Sequence, residues 1–102
     1  MAQTPEGKVK DAIKKMCKRV GAYYFMPVQN GMGAPTLDFL ICYKGLFFGV
    51  ETKAPGKKAT PRQELTMSAI RQSSGWCAVI DSVAKAESFN EVMDAVVKLR
   101  VG

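Results

Sequence analysis

The chain has 102 residues, a length typical of one domain with a single hydrophobic core. Its 15 Lys and Arg residues against 9 Asp and Glu residues give a net charge of +6, which favours a polyanionic partner such as nucleic acid. Because there is no histidine, histidine-based zinc sites, Ser-His-Asp hydrolysis and histidine general bases are excluded, and any hydrolysis has to use carboxylates, lysine or metal-bound water.

The sequence also predicts a soluble protein of the cytoplasm. The start of the chain lacks the charged-then-apolar pattern of a secretory signal. The apolar run over residues 37–50 contains Asp38 and Lys44 and is too short to cross a bilayer as a helix. The three cysteines are far apart and lack the spacing of a zinc or redox motif, so we expect reduced, mostly buried thiols.

A first helix is predicted to begin with Thr4 as N-cap and Pro5 as the first helical residue. Apolar residues then recur at helical spacing as far as Val20, and Gly21 ends the pattern. Glu6 falls along the apolar stripe of this helix. An acid in a first turn can simply complement the helix dipole, and the alternative is that Glu6 belongs to an active site.

Residues 22–28 predict a short strand or an extended lead-in to the next segment. A glycine-rich stretch over residues 29–35, Gln-Asn-Gly-Met-Gly-Ala-Pro, then delivers the chain to Asp38. It is not a phosphate-binding P-loop, because no Gly-Lys-Ser/Thr follows and it leads into a strand rather than a helix. We expect it to make the approach to Asp38 flexible.

Two apolar segments, residues 37–43 and 46–52, are separated only by Lys44-Gly45 and predict a β-hairpin. A two-residue turn, or a four-residue turn in the same register, places Asp38 opposite Glu51, whereas a three-residue loop would separate them. Directly opposed Cβ atoms lie roughly 4.5–5.5 Å apart, and like charges there are destabilising. A divalent cation between the two carboxylates is the simplest explanation.

Lys53 lies two residues beyond Glu51 and therefore on the same face of the strand. The carbonyl of Thr52, between them, offers a further oxygen ligand. Such a group can hold Mg²⁺ or Mn²⁺, which activates water and neutralises charge on a phosphoryl oxygen, while the lysine orients or deprotonates the water. Positive charge for an approaching phosphate backbone lies just beyond this strand, in Lys57, Lys58 and Arg62.

The segment Thr60-Pro61-Arg62-Gln63 has the form of a capping box and predicts a second helix that ends near Ser74 and is closed by Gly75. Gln63 is expected to cap this helix. Because it falls on the inward face, its amide is also a candidate to reach the sheet, and the sequence leaves both roles open.

Residues 76–80 are continuously apolar and predict a strand at an interior position of the sheet, parallel to the Glu51 strand. Residues 88–91, Ser-Phe-Asn-Glu, form a second capping box and predict a final helix to about Arg100. The resulting order of elements, α-β-β-(β)-α-β-α, predicts one α/β domain over residues 1–102, in which helices flank a small mixed β-sheet.

An Asp followed by Glu-x-Lys on a hairpin is the pattern of the PD-(D/E)xK nuclease superfamily. The glycine-rich approach to Asp38, the Tyr43-Lys44-Gly45 turn, the stretch over residues 51–58 and the helix opening that contains Gln63 make the chain resemble the virus-type replication-repair nuclease (VRR-NUC) domain. The resemblance runs from Glu6 to about residue 82. It implies a restriction-endonuclease-like α/β sandwich.

The resemblance also implies a metal-dependent phosphodiesterase that uses Mg²⁺ or Mn²⁺. By this resemblance Asp38 and Glu51 are metal ligands, Lys53 is catalytic, and Gln63 and Glu6 support them. The stand-alone viral and bacterial members are similar in length and are associated with homodimers that cleave branched DNA, including four-way junctions. In one departure from the family, two residues separate the proline from the first acid, where many members have Pro-Asp.

Two other interpretations remain at this point. In one, Asp38 and Glu51 lie at a solvated end of the sheet and Lys53 pairs with one of them. In the other, the chain is a catalytically silent nucleic-acid-binding module with the same fold.

Overall fold

A computed structural model describes residues 3–28 and 35–101 of the chain. These residues form a four-stranded mixed sheet with helices on both faces, which confirms the predicted α/β class. The predicted glycine-rich approach over residues 29–34 lies outside the described residues. The elements in chain order are α1 (Pro5–Val20), β1 (Tyr23–Phe25), β2 (Phe39–Tyr43), β3 (Leu46–Thr52), α2 (Pro61–Gln72), β4 (Trp76–Ile80), α3 (Val83–Glu87) and α4 (Phe89–Val101).

The β2–β3 hairpin has the predicted two-residue turn. Lys44 and Gly45 have φ angles of 49° and 81°, the left-handed values that suit a type I′ turn between twisted strands. The ladder runs outward from Tyr43 opposite Leu46 to Phe39 opposite Val50 in unbroken register. Asp38 lies one step beyond this ladder, and its backbone N–H donates to Oε1 of Glu51 at 3.3 Å. The two acids are therefore neighbours, as expected, while their direct opposition across the hairpin stays a prediction.

The sheet has the order β1-β2-β3-β4, in which the three N-terminal strands are antiparallel and β3 and β4 are parallel. The parallel pairing was predicted, but the interior position of β4 was wrong. Because β2 already occupies one side of β3, the crossover through α2 leaves β4 on the other side, at the edge of the described sheet. Of this apolar run Ile80 is buried, while Cys77 and Ala78 are half-buried and Trp76 and Val79 are exposed.

The helices begin and end largely as expected. The Thr4 hydroxyl accepts the N–H of Gly7 at 3.0 Å, and Gly21 ends α1 in the left-handed region with φ 74°. In contrast, α2 ends at Gln72 with Ser73 as its C-cap, and Ser74 rather than Gly75 has the positive φ, of 70°.

The predicted capping box at Ser88 is wrong, although the helix that follows it is confirmed. A short helix, α3, precedes α4 and is capped by the Ser82 hydroxyl, which accepts the N–H of Lys85. Ser88 is instead the C-cap of α3, and its hydroxyl donates to the carbonyl of Ala84 in that helix. Its side chain is therefore engaged by the preceding helix.

The main core lies between one face of the sheet and the helices α1, α3 and α4. It is built from side chains such as Ile13, Met16, Phe39, Phe48 and Met93. The opposite face carries α2. The expectation of mostly buried cysteines was wrong, since Cys17 is buried, Cys77 is half-buried and Cys42 is exposed. No helix in the described part of the chain is long and apolar enough to cross a membrane.

Candidate active site

Asp38 and Glu51, which we call the acid pair, lie at the open end of the β2–β3 hairpin. Alternation along β3 turns Phe48, Val50 and Thr52 towards the main core. Glu51 therefore points to the other face, which α2 covers. This places the acid pair beside the first turn of α2.

Asp38 is held by the residue that follows Glu51. Its Oδ2 atom accepts the backbone N–H of Thr52 at 2.9 Å and the Thr52 hydroxyl at 2.8 Å. Thr52 is fully buried, so both donors are fixed by the sheet. The side chain of Thr52 was not predicted to take part. The predicted role of its carbonyl as a metal ligand stays a prediction.

Glu51 is 3% exposed and is surrounded by donors. Its Oε1 atom accepts the backbone N–H of Asp38 at 3.3 Å, its Oε2 atom accepts the Gln63 amide at 2.5 Å, and the Lys53 ammonium lies 3.7 Å from Oε2. One alternative interpretation placed both acids at a solvated end of the sheet. The burial of Glu51 does not agree with it, although Lys53 does pair with an acid as that interpretation expected.

Burial, and next to it the negative charge of Asp38, raise the pKa of Glu51 to about 7. The Lys53 ammonium and the N–H of Asp38 act in the opposite direction but do not cancel the rise. At neutral pH the acid pair therefore holds less negative charge than two ordinary carboxylates would. A cation placed against both groups would favour the ionised form of Glu51.

Gln63 has both of the roles that the sequence left open. Its Oε1 atom accepts the N–H of Thr60 at 2.8 Å, while its own N–H donates to the Thr60 hydroxyl at 3.2 Å, and this completes the capping box of α2. Its Nε2 atom donates to Glu51. The first turn of α2 is thus tied directly to the acid pair.

A lysine that sequence reasoning missed links Glu6 to the acid pair. Lys10 lies 3.4 Å from the Glu6 carboxylate and 3.9 Å from Oδ1 of Asp38. Its position four residues after Glu6 on α1 is the signal that was available. Glu6 therefore contacts Lys10, which in turn contacts Asp38, and a catalytic role for Glu6 stays a prediction.

The three predicted nucleic-acid-binding residues, Lys57, Lys58 and Arg62, are all exposed. Lys57 and Lys58 line a shallow depression of mixed charge together with Glu64 and Asp81. None of the three contributes to the hydrogen bonds or ion pairs of the acid pair found among the described residues. Their role in binding DNA stays a prediction.

The donor set fits Mg²⁺ or Mn²⁺ better than a metal that needs a closed protein cage. In the described ranges, no group of three or more His, Cys, Asp or Glu side chains is placed to share one ion. Mg²⁺ is commonly held by one or two carboxylates, with waters and phosphate oxygens completing its shell. Asp38 and Glu51 are the residues that would hold it.

Comparison with solved structures identifies a similar chain described as a VRR_NUC domain. The TM-score is 0.74 at 22% sequence identity, and the match covers 87% of this chain and 97% of that chain. The chain therefore has the VRR-NUC fold, and the fold implied by the sequence resemblance is confirmed. No protein-family model matches the sequence, and no curated protein matches it.

Proposed function

We propose that this protein is a divalent-metal-dependent endonuclease that hydrolyses phosphodiester bonds in DNA. The observation that carries the proposal is the acid pair itself: two carboxylates lie close together, Lys53 pairs with Glu51, and Glu51 is buried with its pKa raised. The VRR-NUC fold and the net charge of +6 add support.

Each side chain of the site has a distinct part in this proposal. Bound Mg²⁺ or Mn²⁺ supplies Lewis acidity, which lowers the pKa of water and offsets charge on the phosphoryl group. Thr52 holds the Asp38 carboxylate in one orientation, and Gln63 does the same for Glu51. The Lys53 ammonium, which is mostly buried, orients the attacking water and stabilises negative charge on the scissile phosphate.

For the substrate we propose branched DNA, including four-way junctions, cleaved by a homodimer during replication, recombination or repair. Symmetric cleavage of two strands of a four-way junction needs two active sites related by a two-fold axis. The described residues of one chain offer a single acid pair. Light scattering of the protein, alone and with junction DNA, tests this part, and a monomer under both conditions would remove it.

Cleavage assays with four-way, flap and linear duplex DNA test the enzymatic activity. The wild type is expected to cleave with Mg²⁺ or Mn²⁺ and not with EDTA, while Asp38→Asn and Lys53→Ala should be inactive. Glu64→Gln and Lys18→Ala, which change exposed residues outside the site, are matched controls and should stay active. Cleavage that survives EDTA or both site substitutions would contradict the mechanism. Binding without cleavage by the wild type would favour a catalytically silent nucleic-acid-binding module.

A further inference from the structure

A groove of about 610 Å³ runs beside α2, on the face of the sheet to which Glu51 points. Leu40 and Phe47 form part of its floor, and Thr66 and Ala69 of α2 form part of its wall. Thr36, two residues before Asp38, also lines the groove. The groove therefore borders the segment that leads to Asp38 of the proposed catalytic site.

Aromatic side chains on this face are left exposed beside the groove. Tyr23 and Phe25 of β1 are 70% and 53% exposed, and Phe47 of β3 is 40% exposed. Tyr23 pairs with Cys42, which in turn pairs with Phe47, so the two rings flank Cys42 across three strands. Because α2 packs on β3 and β4, these rings are not covered by it. They form an open platform next to the groove.

The charges around the groove are positive. Among the described residues, no Asp or Glu lines it, and Arg100 lies at its end near the hairpin turn. Arg62 lies one helical turn before Thr66 on α2, near the other end, where its carbonyl accepts the Thr66 hydroxyl at 3.2 Å. A second copy of this chain would bring the same positive charges to the surface. A polyanion complements them.

Flat aromatic rings on an uncharged floor, with arginines at the ends, match the way proteins bind single-stranded nucleic acid. Bases stack on the rings without regard to sequence, and basic side chains follow the phosphates. In an intact duplex the bases stack on one another, so their faces are not available to stack on these rings. The aromatic rings therefore favour an unpaired strand as occupant.

We propose that the groove and the rings of Tyr23, Phe25 and Phe47 seat a single-stranded segment of the DNA substrate. The segment lies next to the phosphodiester bond that the acid pair receives. This inference rests on the proposed function for the identity of the substrate. It narrows the substrate to DNA with unpaired nucleotides beside the point of cleavage, as in a flap or an opened junction.

The binding site is mapped most directly by NMR on the full chain, titrated with an oligothymidine in the presence of EDTA. Amide shifts are expected in β1, in the β2–β3 hairpin from Leu40 to Phe47, and along α2 from Thr66 to Ser73. Shifts confined to α1 and α4, or an unchanged spectrum at saturating oligonucleotide, would overturn the proposal. The measurement needs neither metal nor turnover.

Substitutions then separate stacking from general hydrophobic contact. Phe25→Leu and Phe47→Leu keep an apolar side chain but remove the ring, and each should weaken oligothymidine binding about five- to tenfold. Phe25→Trp should retain tight binding, and Leu99→Ala, at a 75% exposed position on α4, should leave it unchanged. Leucine variants that bind as tightly as the wild type would show that the rings do not stack on bases.

The outcomes distinguish this inference from the proposed function. If the wild type cleaves no DNA but the oligothymidine maps to the groove, the nuclease proposal fails and the binding site remains. If the wild type cleaves duplex and flap equally and the leucine variants bind normally, the groove proposal alone fails. A third outcome is that the wild type sediments as a dimer, the leucine variants sediment as monomers, and their oligothymidine affinity is normal. The face would then join two copies of the chain, and the proposal would be overturned.

Discussion

The buried carboxyl group of Glu51 is expected to make the stability of the metal-free protein depend on pH. Folding raises its pKa from an ordinary value of 4.5 to about 7. Burial is the larger cause of this rise, and the negative charge of Asp38 is the next. The folded state therefore binds the proton more tightly than the unfolded state does. The resulting stabilisation is complete below about pH 4.5 and is lost as the pH rises through about 7.

From this we expect the free energy of unfolding of the metal-free protein to fall between about pH 5 and pH 8, by an amount on the order of 2 kcal/mol. Urea denaturation in EDTA measures it. Glu51→Gln removes the titrating group and should flatten the profile, whereas Glu64→Gln, at an exposed position on α2, should not. A profile that falls equally in Glu51→Gln would assign the effect to another group. The Cys17 thiol, with a pKa that burial raises to about 11, acts only in more alkaline solution.

At the level of single residues, the sequence predicted the positions of the two acids and Lys53 better than the contacts that hold them in place. Asp38, Glu51 and Lys53 follow from the alternation of a strand and the length of one turn, both of which are local. Lys10 belongs to α1 and reaches Asp38 because α1 packs on the sheet. No local rule places those two side chains together, because their contact depends on how distant segments pack.

Among the elements, α2 connects the stability of the fold to the geometry of the site through the two side-chain hydrogen bonds of Gln63. Thr60→Ala removes the cap alone and should lower the free energy of unfolding by about 1 kcal/mol, with little effect on the metal requirement. Gln63→Ala removes the cap and the donor to Glu51. It should also raise the Mn²⁺ concentration for half-maximal cleavage about tenfold or more.

Metal titrations of cleavage, together with thermal or urea unfolding, separate the two effects. A Gln63→Ala variant with the same metal requirement as Thr60→Ala would reduce Gln63 to a helix cap.

The end of α2 provides a second test, at neighbouring positions. Ser74 adopts φ 70°, where a side chain is strained, so Ser74→Gly should raise the free energy of unfolding by up to about 1 kcal/mol. A Cβ added to Gly75 would lie 2.7 Å from Cγ2 of Ile70, so Gly75→Ala should lower it by about 1–3 kcal/mol. Urea unfolding of the two variants checks both signs. Equal and small effects would contradict the described path of the chain after α2.

This part of the fold also shows where prediction from sequence stops. Gly75 was expected to close α2, but the positive φ belongs to Ser74, and at Gly75 the side chain of Ile70 leaves no room for a Cβ. Likewise the apolar run of β4 looked like an interior strand, because sequence records burial above and below a strand but not which strands lie at its sides. The hairpin register was predictable because it depends on two turn residues alone.

For the whole molecule, the net charge of +6 predicts DNA binding that weakens with salt. If Lys57 and Lys58 each contact a phosphate, replacing both by glutamine should reduce the slope of log affinity against log salt by about 2. Fluorescence anisotropy with duplex DNA at several salt concentrations measures the slope. Replacing Lys15 and Lys18, two exposed lysines of α1, is the matched control. An equal loss in both double variants would mean that only the overall charge matters.

The measurement that tests the central claim most directly is Mn²⁺ binding by electron paramagnetic resonance, combined with DNA cleavage on the same samples. The wild type should bind Mn²⁺, and Asp38→Asn and Glu51→Gln should each weaken that binding about tenfold or more. Lys53→Ala should bind Mn²⁺ as the wild type does and yet fail to cleave DNA. If Asp38→Asn and Glu51→Gln bind Mn²⁺ as tightly as the wild type, the acid pair does not hold the cation, and the account of this site is wrong.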